Sequence, residues 1–70
     1  MRRKLEVRRE DRLATLNALK RDELTPKELG ESVTEGQDTW AFVLDDGDVD
    51  AASAALKTAE INFWVSTTSR

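Results

Sequence analysis

Seventy residues make one domain, 1–70, and a chain this short buries only about 60% of the surface it exposes when unfolded. Without cysteine or histidine it has no disulfide, thiolate metal site or imidazole chemistry, so oxygen is the only ligand type left. The net charge of −3 is unevenly divided: residues 1–21 hold eight basic and three acidic side chains, and residues 22–70 hold three basic and eleven acidic. With disulfides and metals excluded as staples, self-association as a homodimer is the stabiliser expected. No apolar run approaches the ~18 residues of a membrane span. Charges continue past Met1-Arg-Arg-Lys4, where a signal peptide would turn apolar. The chain reads as soluble, cytoplasmic and unattached to a membrane.

Lys4-Leu-Glu-Val-Arg8 alternates polar and apolar side chains and predicts a half-buried strand. Asp11 then stands where an N-cap belongs. A helix follows from about Arg12 to Glu23, with Leu13, Leu16 and Leu19 near one face and Lys20 and Arg21 at its C-terminal turn. Thr25-Pro26-Lys27-Glu28 has the form of a capping box with proline at the first helical position. It predicts a short helix from Pro26 to about Ser32, weakened by Gly30. The alternative is an edge strand, Leu29 to Thr34, turning at Glu35-Gly-Gln-Asp38 into the next strand. Thr39 to Leu44 reads as a strand apolar on both faces. The acidic turn Asp45-Asp-Gly-Asp-Val-Asp50 follows, then an alanine-rich helix, Ala51 to Ala59, and a final strand, Ile61 to Val65. Residues 66–70 read as a polar tail that extends this strand or frays. No repeats or low-complexity tracts are visible.

These elements assemble as an α+β domain in which two β-α-β halves interlock. The expected architecture is a ferredoxin-like split β-α-β sandwich: a three- or four-stranded antiparallel-type sheet, the N-terminal strand between the other two, with helices on one face. The predicted core is Leu5, Val7, Leu13, Leu16, Leu19, Trp40, Phe42, Leu44, Leu56, Ile61, Phe63 and Val65. Lys4, Glu6, Arg8, Ala41, Val43, Asn62 and Trp64 fall on the open face. This topology sets Met1 to Lys4 at the same end as Asp45 to Asp50, so the two charge blocks neutralise each other.

Val7-Arg-Arg-Glu-Asp-Arg-Leu13, the Asp45-Asp-Gly-Asp turn, Ala51-Ala-Ser-Ala-Ala-Leu56 and Ala59-Glu-Ile-Asn-Phe63 together resemble an ACT domain. ACT domains are ligand-binding regulatory modules of ferredoxin-like fold. The resemblance implies an amino-acid-sensing role. The Asp11-Arg12 pair is present, but the Pro-Gly that follows it in that family is not.

Asp46, Asp48 and Asp50 alternate as in a calcium loop. Counted from Asp46, however, the sixth and twelfth positions are Ala51 and Lys57, not the glycine and glutamate an EF-hand needs. There is no histidine, cysteine or Gly-rich phosphate loop for catalysis. The expectation is therefore a non-enzyme with no cofactor and no metal. A helix-turn-helix over Arg12 to Val33 would have an acidic second helix, whereas recognition needs basic and amide side chains.

The leading expectation is a small regulatory or adaptor protein that binds another protein. Trp64, Arg8, Arg9 and Arg12 form one candidate patch, and Asp45, Asp46, Asp48 and Asp50 a second. Trp64 either stacks on neighbouring Lys and Arg side chains or anchors the partner. A compact acidic chain also suits a virus-encoded inhibitor of a host complex, its carboxylates engaging a basic groove. The alternatives are a DNA-binding transcriptional regulator with a basic N-terminal arm and the ACT-type sensor.

Overall fold

The computed structural model describes residues 2–67. In chain order the elements are β1 (Arg2–Arg8), α1 (Arg12–Arg21), β2 (Lys27–Thr34), β3 (Gln37–Asp45), α2 (Val49–Thr58) and β4 (Phe63–Thr67). The strands form one open sheet in the order β2-β3-β1-β4, every neighbouring pair antiparallel. The architecture is α+β, with two helices and four strands. As expected, β1 lies between the two later strands. Of the predicted polar tail, Ser66 and Thr67 continue β4, and 68–70 lie outside the described residues.

The predicted helix at Pro26 to Ser32 is not formed. Lys27–Thr34 is an edge strand, so the alternative hairpin reading is the one observed. Two causes decide it, one in the turn and one in distant partners of Glu28. Glu35 and Gly36 both have positive φ, 52° and 77°, as a two-residue type I′ hairpin requires, and glycine adopts this without strain. Glu28 is also drawn away from a capping role, because its carboxylate accepts hydrogen bonds from Arg12 and Trp40. Gly30, at φ 117°, follows a bulge between Glu28 and Gly30 that interrupts the ladder. With residues 27–34 extended, the helix-turn-helix is excluded. Arg2–Arg8 forms an interior strand, so it is no free basic arm.

Alternation along the strands divides the sheet into two faces. Leu5, Val7, Phe42 and Leu44 join Leu19 of α1, Val49, Ala52 and Leu56 of α2, and Ile61 in one buried cluster. Both helices therefore cover the same face. Each such large side chain removed from water stabilises the fold by about 1.5–3 kcal/mol. Leu16, Trp40, Phe63 and Val65 pack partly buried against this cluster. Leu13 does not belong to the core: it is 67% exposed, and Thr15 is fully buried in its place. The buried stripe of α1 runs through positions 15 and 19, with 16 and 18 beside them, which puts Leu13 on the outer side.

The two halves repeat a single local design at a spacing of 37 positions, although residue identities conceal it. Each helix begins with a turn of 3₁₀ helix, Arg9–Asp11 before α1 and Asp46–Asp48 before α2. Asp11 and Asp48 occupy the N-cap positions, but neither side chain makes the expected cap hydrogen bond. Each helix ends in a Schellman motif. The Leu24 amide donates to the Leu19 carbonyl at 2.9 Å, and the Ile61 amide to the Leu56 carbonyl at 2.9 Å. Glu23 and Glu60 sit between, both in the left-handed region at φ 59°. Leu19 to Leu56 and Leu24 to Ile61 are each 37 apart, as are Leu5 and Phe42, which face each other across β1 and β3.

Candidate functional site: the open face of the sheet

No helix covers the second face of the sheet, and it carries the side-chain hydrogen-bond network centred on Glu6. Arg2, Lys4, Glu6 and Arg8 project from β1. Thr39, Ala41, Val43 and Asp45 lie opposite them on β3, and Trp64 and Ser66 lie on β4. Lys27, opposite Val43, adds a fourth cation from β2. Four bases against two acids give this face +2. With the chain at −3, everything else carries −5.

Glu6 organises the centre, although only 7% of it is exposed. It stands opposite Ala41, whose short side chain lets the carboxylate reach over β3 to the edge strand. There Ser32 Oγ donates to Oε1 at 3.0 Å and Thr34 Oγ1 donates to Oε2. Thr34 has spent its one proton, so the 3.3 Å contact between hydroxyls must have Thr39 donating to Thr34. Lys4 Nζ completes the set, 3.2 Å from Oε1. Burial alone would push the Glu6 carboxyl up. The hydrogen bonds from Thr34, Lys4 and Ser32 outweigh it and hold the group below the ordinary glutamate value. The sequence reading placed Glu6 on this face without recognising it as a hub. The available signal was a carboxylate in mid-strand with hydroxyls at positions 32 and 34 of an alternating edge strand.

The residues of the first predicted patch separate into three groups. Trp64 and Arg8 share the open face, two residues apart in the β1–β4 ladder. Arg9 lies at the end of the sheet, its guanidinium 3.7 Å from Glu31 and 4.0 Å from Asp38. Arg12 belongs to the helical side. Its guanidinium lies 4.6 Å from the centre of the Trp40 ring, and its Nε donates to Glu28 Oε1 at 2.9 Å. Trp40 Nε1 donates to the same oxygen at 2.9 Å. The hydrogen bond from Arg12, assisted by that from Trp40, holds Glu28 below its ordinary range. The stacking considered for Trp64 thus occurs at Trp40, which closes the gap between α1 and the β2 side of the sheet.

The acidic patch is partly neutralised, as the topology predicted. Asp45 stands opposite Arg2, and Asp46 Oδ1 lies 2.7 Å from Arg3 Nε. That Nε–H has no acceptor in line, so the contact is an ion pair and not an aligned hydrogen bond. Among the described residues, no three carboxylates converge as a metal site would require. No helix among them is long and apolar enough to cross a membrane.

Trp64 and Arg8 remain uncommitted. Among the described residues Trp64 has neither a stacked cation nor a hydrogen-bond partner. Arg8 forms no ion pair among them, and its Nε is out of contact with solvent yet has no acceptor. The chain matches no protein-family model and no curated protein in sequence comparison.

Proposed function

We propose that this is a non-catalytic regulatory or adaptor protein that acts by binding another protein through the open face of its sheet. The contrast between the two tryptophans carries the reading. Trp40 has its cation and its acceptor, whereas Trp64, on the uncovered face, has neither among the described residues. Tryptophan and arginine are the residue types most enriched at binding hot spots. The strand order and element order support a ferredoxin-like assignment of the α+β fold. The reading extends to a cytoplasmic protein, self-associating as a homodimer, and to an inhibitor of a larger complex as one role of such a module. Affinity capture from the source cell tests it. Wild type should retain a partner that Trp64→Ala loses, and equal capture by both sinks the open-face reading.

The same fold assignment keeps the amino-acid sensor as a second reading. Arg12, the counterpart of the sensor family's Asp-Arg pair, is already engaged by Glu28 and Trp40, which weighs against it. A sensor must melt at higher temperature in the presence of its amino acid. A melt unchanged across the amino acids removes this reading. The DNA-regulator reading has to use the cations of the open face, and a gel shift with generic duplex at low salt tests it.

A further inference from the structure

We infer that Arg8 is the receptor for a carboxylate of the docked partner, making the open face specific for an acidic segment. This inference rests on the open-face reading and adds the chemistry of what binds there. Arg8 ends β1 beside an open depression lined by Arg8, Arg9, Glu10, Gln37 and Asp38. Of the charged side chains lining it, Arg8 and Glu10 form no ion pair among the described residues. Arg9 is held by Glu31 and Asp38. Arg8 has no carboxylate within ion-pair distance among the described residues. The terminal nitrogens of an unpaired guanidinium match a planar oxyanion geometrically, and the charged hydrogen bonds they make are about twice as strong as neutral ones.

The surroundings favour a carboxylate on a peptide. Arg8 and Trp64 sit diagonally on one face, so an acidic side chain at Arg8 places its neighbours over an aromatic ring. The face carries +2 against −5 elsewhere, which orients an acidic segment towards it before contact. Glu6 does not oppose this. Lys4 offsets its charge, and the hydroxyls of Ser32 and Thr34 occupy its oxygens.

The test uses a short fluorescein-labelled glutamate-rich peptide, read by fluorescence anisotropy at low salt with the full chain. Wild type should bind it, Arg8→Gln about tenfold or more weakly, and Arg8→Lys in between, since lysine keeps the charge but loses the fork. Lys57→Gln, on the exposed side of α2, is the matched control and should bind as wild type does. Thermal melts of each variant confirm that it is folded. Failure of the wild-type chain to bind the peptide overturns the inference. Unweakened binding by Arg8→Gln also overturns it. In that case the open-face reading survives if Trp64→Ala still weakens binding, and falls with it if not. Displacement by equimolar inorganic phosphate, or tighter binding of oligothymidylate than of the peptide, assigns the arginine to phosphate and overturns the acidic-peptide partner.

Discussion

Replacing Glu60 with glycine should make this protein more stable, although the change removes a whole side chain. Glu60 holds φ 59° at the end of α2, between the Lys57 carbonyl it bonds at 3.1 Å and the Ile61 amide that closes onto Leu56. An L-residue pays about 1 kcal/mol or more for this left-handed conformation. Glycine pays almost none there, but its freer unfolded chain returns about 0.5 kcal/mol of the gain. The expected net stabilisation is about 0.5–1 kcal/mol. For a domain of 60–100 residues this raises the melting temperature by about 2–8 °C. Charge contributes separately, because a carboxylate is unfavourable at the negative end of a helix dipole. Glu60→Gln removes the charge and keeps the strain, so the glycine variant must exceed the glutamine variant in a scanning-calorimetry comparison. If Glu60→Gly melts no higher than Glu60→Gln, the backbone argument is wrong. Glu23→Gly should repeat the result at the end of α1, and the double variant should show the sum.

Three other outcomes follow from the same structure. Thr15 is fully buried in α1 and its hydroxyl has no partner among the described residues. Thr15→Val should therefore stabilise by about 1 kcal/mol, read as a higher urea midpoint. Glu6 is held below its ordinary value of 4.5, so near that pH the unfolded chain binds the proton more readily than the native one. Its contribution is thus complete above pH 4.5 and is lost as pH falls through the lower native value. Melting temperature against pH should fall less steeply on this acid limb in Glu6→Gln, though from a lower plateau. Arg12→Ala should cost about 0.5–1 kcal/mol from the lost stacking. It should also shift tryptophan emission to longer wavelength as the Trp40 ring meets water, whereas an unshifted spectrum would place the ring's shelter elsewhere.

The elements legible in the sequence were those whose apolar spacing was imposed by the core. The alternation of Leu5 with Val7, of Trp40 with Phe42 and Leu44, and Leu56 in the alanine-rich helix all correspond to buried or packed positions. β2 is hard to read because none of its eight residues is buried, and its half-buried positions 30, 32 and 34 are glycine, serine and threonine, so its alternation carries no apolar signal. The capping signal at Thr25 and Glu28 was local. The hydrogen bonds that override it come from Arg12 and Trp40, 16 and 12 positions away in the chain. Leu13 failed for a related reason: spacing alone allowed 13-16-19 or 15-16-19, and the packing of α1 chose the stripe that buries a threonine. At the candidate site, the residues named in advance were chosen for charge and aromaticity. That finds Arg8 and Trp64 but cannot separate them from Arg9 and Arg12, whose partners are visible only in three dimensions.

The 37-position repeat has a consequence for recognition. Because Leu5 and Phe42 pair with each other, a pseudo-twofold axis passes between them, and a half-turn about it returns the same strand framework. A visitor reading only the backbone would find two equivalent ways to lie down. The side chains break this tie: Arg8 maps onto Asp45, Glu6 onto Val43 and Trp64 onto Lys27. One orientation meets an arginine and an indole where the other meets an aspartate and a lysine. An acidic peptide should therefore dock with a single chain polarity, and exchanging residues 8 with 45 and 27 with 64 should reverse it, as spin labels at the two peptide ends would report.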